Sequence, residues 1–123
     1  MDFVDFEIAK KLKEKGFNEL CYKYYQKGVL DSDDCWNRYN KGTADRCSAP
    51  TISQVLKWLR KEKLILIGLS PMQEYDGDEI VEWCATVYKA DKQGGLSWQE
   101  ELYYQSYEDA ALAGIEYVLD NLI

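Results

Sequence analysis

The sequence contains no histidine among its 123 residues. This absence removes the commonest general base, the commonest metal ligand and every serine–histidine or cysteine–histidine nucleophile pair. A phosphate-binding glycine loop is also missing, because no Gly-Lys-Ser or Gly-Lys-Thr follows the Gly94–Gly95 pair. No set of nucleophile, base and oxyanion donors can be named. We therefore expect a protein that is not an enzyme and that uses no cofactor.

Long apolar runs are missing too. No stretch approaches the roughly twenty apolar residues that cross a bilayer, and the N-terminal stretch MDFVDFEIAKK is acidic and amphipathic, unlike a signal sequence. We expect a cytoplasmic protein that does not associate with membranes.

The cysteines form no C-x-x-C pair, so neither a zinc knuckle nor a thioredoxin-type motif is present. They lie at Cys21, Cys35, Cys47 and Cys84. Free thiols, buried or half-buried, are the favoured interpretation. A Cys35–Cys47 bridge and a distributed four-thiolate site are the alternatives.

Basic side chains are scarce in the C-terminal part. Residues 1–70 carry 13 basic and 10 acidic side chains, a net charge of +3. Residues 71–123 carry 2 basic and 12 acidic side chains, a net charge of −10. A chain of this sign lacks the general attraction to phosphate that supplies non-specific nucleic-acid affinity. The expected partner is therefore a protein and not a nucleic acid.

Three stretches have the periodicity and capping residues of helices. The first covers residues 3–15, with Asp2 or Asp5 as its cap and Gly16 as its stop. The second begins at a T-x-x-Q capping box, and the third at an S-x-x-D pattern. Small residues in the third helix predict close packing on another backbone; they are Ala110, Ala113 and Gly114. We expect that backbone to be the second helix, and a dimer contact is the alternative.

Four stretches have strand character. Residues 20–26 alternate and are aromatic, which favours a strand, with a short helix as the alternative. Residues 29–49 are typical of a loop. Residues 64–69 (LILIGL) form an apolar run that is typical of a strand covered on both faces or central in its sheet, and Ser70 and Pro71 end it.

Two further strands, residues 80–90 and 96–104, complete an antiparallel meander. In the last strand four large residues are in phase: Leu96, Trp98, Leu102 and Tyr104. The predicted order is α-β-(loop)-α-β-β-β-α. We expect one α+β domain over residues 1–123, with a three- or four-stranded antiparallel sheet packed against two or three helices.

The outer side of the second helix carries a basic stripe that contains an aromatic residue. Its members are Lys57, Trp58, Arg60 and Lys61. One interpretation is a solvated face whose tryptophan covers a neighbouring strand, and the other is a contact surface for an acidic partner. These four are the candidate partner-binding residues. The 31–48 loop is a second candidate, because a loop of this length is unusual in a small domain.

An acidic turn follows the apolar strand and consists of Glu74, Asp76, Asp78 and Glu79. Oxygen-rich turns can bind calcium, but this one matches no EF-hand loop. We favour a solvated turn and predict no metal site.

Two resemblances carry expectations. From Ile52 onward the predicted order of helix, three antiparallel strands and helix resembles the double-stranded-RNA-binding domain, which reads RNA by shape and phosphate contacts. That family places a lysine-rich patch at the start of its last helix. This sequence has Tyr107, Glu108, Asp109 and Ala110 there, which argues against RNA binding.

The segments SAPTISQVLKWLRKEK (48–63) and SYEDAALAGIEYVLDNLI (106–123) resemble small uncharacterised proteins from bacteriophages and integrated mobile elements of gut bacteria. The resemblance implies a bacterial or phage cytoplasmic protein of about this size, and it implies no site residues.

Three functions stay open. The first is a non-enzymatic protein-interaction or regulatory accessory protein of a phage or mobile element, as a monomer or homodimer. The second is a small-ligand or cation-binding domain, and the third is an acidic decoy of a nucleic-acid-binding surface.

Overall fold

A computed structural model describes residues 2–31, 46–73 and 80–123. The chain has the predicted α+β composition, with three α-helices and two three-stranded antiparallel sheets among the described residues. It separates into two compact units, Met1–Val55 and Leu56–Ile123. The prediction of one domain over the whole chain stays a prediction. No helix in the described part of the chain is long and apolar enough to cross a membrane.

The first unit begins with helix α1, Phe6–Glu14. Of the two predicted caps, Asp5 is the residue that caps it: its carboxylate accepts a hydrogen bond from the Ile8 amide at 2.9 Å. Gly16 follows the helix with a φ of +90°, a conformation that glycine adopts without a steric penalty. The predicted helix and its stop are thus confirmed, although the helix starts later than expected.

A small sheet in the first unit has the order β2-β1-β3, with β1 Tyr24–Gln26, β2 Val29–Leu30 and β3 Arg46–Ser48. Lys27 and Gly28, with φ values of 51° and 80°, form the two-residue turn between β1 and β2. The prediction of loop over all of residues 29–49 is wrong at both ends, because β1 supplies the backbone partners that make these short segments into strands.

Helix α2 spans Ile52–Trp58 and continues as one π-helical turn, Leu59–Lys63. The capping box is confirmed: the Gln54 amide donates to Thr51 Oγ1 at 3.2 Å, and the Thr51 amide donates to Gln54 Oε1 at 3.3 Å. Leu64 ends the π turn in the left-handed conformation, with a φ of 55°. The chain then enters the sheet of the second unit.

That sheet has the order β4-β5-β6, with β4 Ile65–Gln73, β5 Ile80–Ala90 and β6 Leu96–Tyr104. The bounds of β5 and β6 agree with the prediction. The apolar run is a strand, as predicted, but two details of the prediction are wrong. β4 lies at the edge of its sheet and not at the centre, and it does not end at Ser70 and Pro71 but continues through them. An edge position tolerates proline, since only one side of the strand is hydrogen-bonded to a neighbour.

Helix α3, Tyr107–Asn121, packs on one face of this sheet. Ser106 caps it as predicted, accepting a hydrogen bond from the Asp109 amide at 3.0 Å. Gly114 meets the sheet: a Cβ at this position would lie 3.1 Å from Ile67 Cγ2 and 3.5 Å from Ala85 Cβ. The small residue therefore allows close approach to β4 and β5, and the expectation that it serves contact with the second helix is wrong.

Candidate binding surface

The four sequence-predicted site residues do not form one exposed surface. Lys57, Arg60 and Lys61 are exposed, but the Trp58 side chain is only 6% exposed. Trp58 follows the buried Val55 by three positions and so lies on the flank of the buried stripe, where its large apolar area favours burial. Of the two interpretations of the stripe, the burial of Trp58 agrees with the one in which its tryptophan is packed against the fold. The assignment of the stripe as a partner-binding surface stays a prediction.

A cation still lies against this tryptophan. The Lys63 ammonium is 5.4 Å from the centre of the Trp58 ring, within the range of a cation–π contact. Lys63 stands on the π-helical turn and belongs to none of the predicted site residues. Trp58 thus has a structural role in the second unit, and the basic stripe consists of Lys57, Arg60 and Lys61.

Most of the 31–48 loop, residues 32–45, and the acidic turn at 74–79 lie outside the described residues. In the part of the chain that the structure describes, no group of three or more histidine, cysteine, aspartate or glutamate side chains is placed to hold a metal ion. Cys21, Cys47 and Cys84 are buried free thiols, and Cys35 lies outside the described residues.

The register of the β4-β5-β6 sheet assigns its residues to two faces. The odd-numbered residues 65–71 of β4 and 83–89 of β5 point to the helix α3 side, where Gly114 meets Ile67 and Ala85. The rings of Tyr107, at the start of α3, and of Trp83, on the same face, pack edge to face with their centres 5.2 Å apart. The opposite face is formed by the even-numbered residues 66–72 of β4 and 82–90 of β5, and helix α3 leaves it uncovered.

We call this opposite surface the open face. It comprises the even-numbered residues 66–72 of β4 and 82–90 of β5, together with Leu96, Trp98, Glu101 and Tyr103 of β6. Leu96 pairs with Ala90 and Trp98 pairs with Tyr88, while Tyr103 pairs with Cys84. Because paired residues of an antiparallel sheet point to the same side, these side chains share one surface.

Large apolar side chains are exposed on the open face. Leu96 and Trp98 are each 57% exposed, Tyr103 is 47% exposed and Met72 is 41% exposed. Single exposed apolar residues are normal on protein surfaces, but several on one sheet face mark an interaction site. The open face is therefore the strongest candidate binding surface among the described residues.

The charges of the open face have one sign. Glu82 and Glu101 are exposed and lie on it, and its described residues include no lysine or arginine. The Tyr103 hydroxyl donates a hydrogen bond to Glu101 Oε2 at 2.8 Å. This hydrogen bond and the negative charge of Glu101 raise the pKa of Tyr103 from its ordinary value of 10.0 to about 12. The face thus offers aromatic rings beside carboxylates.

A β-bulge explains why sequence periodicity missed this surface. Val87 pairs with Glu100 whereas its neighbour Tyr88 pairs with Trp98, so Gln99 is an extra residue in β6. The bulge moves Leu96 and Trp98 to the opposite face from Leu102 and Tyr104, whose partners Ala85 and Trp83 lie on the helix side. The prediction that these four residues share one face is wrong, because strict alternation holds only without a bulge.

The sequence matches no protein-family model, and neither the curated proteins nor the solved structures contain a match. The resemblance to phage and mobile-element proteins therefore stays a prediction.

Proposed function

We propose that this chain is a non-catalytic protein-interaction module, and that the open face binds a partner segment rich in apolar and positively charged side chains. The observation that carries the proposal is the exposure of Trp98, Leu96, Tyr103 and Met72 on one sheet face. Tryptophan and tyrosine in this setting are typical anchors of protein interfaces.

The charge of the face favours a basic partner. Glu82 and Glu101 supply negative charge, while Trp98 and Tyr103 supply ring faces that attract a guanidinium or ammonium group. An arginine-bearing segment would satisfy both kinds of group, because arginine pairs with carboxylates and stacks on aromatic rings. The same carboxylates would repel a phosphate backbone, which is the reason for proposing a protein and not a nucleic acid.

The proposed biological setting is an accessory or regulatory role in the cytoplasm of a bacterium that carries a phage or mobile element. It rests on the resemblance of the 48–63 and 106–123 segments. The exposed basic stripe of Lys57, Arg60 and Lys61 is a second proposed surface, which would suit an acidic partner.

The other two hypotheses have less support. Described carboxylates of the second unit lie on both sides of the sheet: Glu82 and Glu101 are on the open face, whereas Glu108, Asp109 and Glu116 belong to α3 on the other side. A decoy of a basic surface requires one contiguous acidic face. The cation-binding hypothesis depends on the 74–79 turn, and calorimetry with Ca²⁺ tests it directly.

Selection from a random peptide library displayed on phage tests the main proposal, with the whole chain immobilised. We expect enrichment of peptides that combine arginine or lysine with aromatic or aliphatic residues. Their affinity should fall at least about tenfold in Trp98→Ala, since central aromatic anchors typically contribute more than ~1.4 kcal/mol. Because Trp98 is exposed, its removal should leave the circular dichroism spectrum unchanged.

The matched control is Arg60→Ala, which alters the basic stripe and leaves the open face intact. Affinity for the selected peptides should be the same as for the unaltered chain. Enrichment of acidic peptides that depend on Arg60 would instead assign binding to the basic stripe. If no peptide class is enriched, or if Trp98→Ala binds as well as the unaltered chain, the proposal for the open face is refuted.

A further inference from the structure

The alternation of hydrogen bonds in the β4-β5-β6 sheet shows which backbone groups of β6 point away from it. The Ala90 amide donates to the Leu64 carbonyl at 2.7 Å, so the even-numbered residues of β5 bond to β4. The Asp91 amide donates to the Gly95 carbonyl at 2.9 Å, so the odd-numbered residues of β5 bond to β6. Residues of β6 that pair with even-numbered residues of β5 therefore direct their N–H and C=O groups outward, away from β5.

Glu101 and Tyr103 are two such residues, since their partners in β5 are Thr86 and Cys84. Both lie in the stretch 100–104, where the register is regular, and both are exposed. Among the described residues β6 has no strand on its other side, and no backbone hydrogen bond from a turn or loop reaches this stretch. Backbone groups at such an edge bond to water, to a side chain or to an added strand.

One of the outward groups is held by a side chain. The Glu101 amide donates a hydrogen bond to Glu100 Oε1 at 2.9 Å, which agrees with the outward direction of this N–H. Glu100 is half-buried, and a rotation of its side chain releases the N–H for another acceptor. The β6 edge can therefore take up an extended segment whose carbonyl group replaces the Glu100 carboxylate.

Charge selects what kind of segment fits this edge. β6 contains two carboxylates, those of Glu100 and Glu101, and no basic residue. A second copy paired through the same stretch would bring carboxylates close together, which destabilises a strand pair. A positively charged segment is attracted instead, because opposite charges across a strand pair stabilise it. The complementary occupant is thus a basic segment of another protein.

We propose that an extended segment of a partner protein adds to the β6 edge and continues the antiparallel sheet, with arginine or lysine at every second position. This inference rests on the proposed function and specifies the conformation of its partner. Segment residues opposite Glu101 and Tyr103 hydrogen-bond to β6 and direct their side chains to the open face. A basic residue opposite Glu101 lies diagonal to Tyr103, at about 7–8 Å, where a long side chain reaches the ring.

A synthetic heptapeptide of alternating valine and arginine, with valine at both ends and both termini blocked, tests the strand addition. In the proposed geometry the arginine N–H groups bond to β6 and the valine N–H groups point to solvent. N-methylation of the three arginines should therefore lower the affinity, measured by calorimetry, at least about tenfold. N-methylation of three valines is the matched control and should leave the affinity unchanged. Equal effects of the two sets of methyl groups, or a larger effect on valine, would refute strand addition.

Hydrogen exchange by NMR gives a readout on the chain itself. The Tyr103 amide should exchange fast in the free chain and become protected when the heptapeptide is bound. The Leu102 amide faces β5 and should be protected in both states. Fast exchange of Tyr103 at saturating peptide would contradict the proposal.

Charge variants assign the edge. Glu101→Lys should lower the affinity for the heptapeptide at least about tenfold. Glu62→Lys is an equal charge change at an exposed position of the π-helical turn before β4, the other edge strand, and should bind as the unaltered chain does. Equal losses in both variants would show attraction to the net charge alone and overturn the assigned edge.

The outcomes separate this inference from the proposed function. If binding depends on Trp98 but the two methylated peptides bind alike, the open face binds its partner without strand addition. If the heptapeptide does not bind at all, strand addition is refuted, while the library selection still tests the open face independently.

Discussion

Replacement of Gly114 by valine tests how closely α3 packs on its sheet. Gly114 lies in the middle of α3 and is buried, with side chains of β4 and β5 beside it. A Cβ at this position would be 3.1 Å from Ile67 Cγ2, 3.5 Å from Ile67 Cδ1 and 3.5 Å from Ala85 Cβ. Carbon atoms reach their best dispersion energy at about 3.5–4.0 Å, so even a methyl group requires a local shift of a few tenths of an ångström.

Valine adds two more carbons beyond this Cβ, and the space toward the sheet is already filled. Overpacking of this kind typically costs about 1–3 kcal/mol. The replacement also removes a glycine from a helix interior, which returns a few tenths of a kcal/mol of helix propensity. We expect a net loss of about 1–3 kcal/mol in the free energy of unfolding, and a Tm that falls by roughly 4 °C for each kcal/mol.

Urea denaturation followed by circular dichroism measures this loss. Ala113→Val is the matched control, since it introduces the same residue one position earlier, at a half-buried site that faces about 100° away on the helix. Its cost should stay below about 1 kcal/mol. Combining Gly114→Val with Ile67→Ala should cost less than the sum of the two single changes, because the contacting side chain is gone. Full stability of Gly114→Val would refute the close contact between α3 and β4.

Two further predictions concern protonation and the ladder of β4. Burial raises the pKa of the Cys21 thiol from its ordinary value of 9.0 to about 11, so the unfolded chain loses this proton first. The contribution of Cys21 to the free energy of unfolding should therefore be constant below about pH 9 and fall as the pH rises toward 11. Urea titrations across this range measure the fall, which should be shallower in Cys21→Ala. An equal fall in both chains would contradict the raised pKa of Cys21. The Ala90 amide donates to the Leu64 carbonyl at 2.7 Å, so the even-numbered residues of β4 are the ones hydrogen-bonded to β5. Pro71→Ala should therefore change stability by less than about 0.5 kcal/mol, whereas Ser70→Pro should cost about 1–3 kcal/mol because it removes an N–H that faces β5. Similar losses for both, measured by thermal unfolding, would refute the assigned ladder.

Local signals in the sequence predicted the elements whose stabilising groups are close in the chain. Asp5, Thr51 and Ser106 each accept a hydrogen bond from an amide three residues ahead, so the start of each α-helix is encoded within one turn. The β5 and β6 strands were predicted with their observed bounds, because turn residues flank both.

Predictions failed where distant segments decide the structure. The three-residue strand β3 is a strand only because β1 pairs with it, and its sequence Arg-Cys-Ser has no strand periodicity. The sequence predicts a strand end at Pro71, because its compatibility with β4 depends on which side of the strand faces β5. For Trp58 the sequence left two interpretations open, because helical spacing places it beside the basic residues without showing how far the core extends around the helix; the structure buries its side chain.

The sequence alone determined the α+β class, the helix caps, the order of the main elements and the concentration of acidic residues in the C-terminal part. These properties depend on residues within a few positions of one another or on composition. The tertiary structure decided which surface is the candidate binding site, since the bulge at Gln99 and the position of α3 place Leu96, Trp98 and Tyr103 together on the open face. Strand register fixes which side chains share a face, and register is set by pairing between segments that are far apart in the chain.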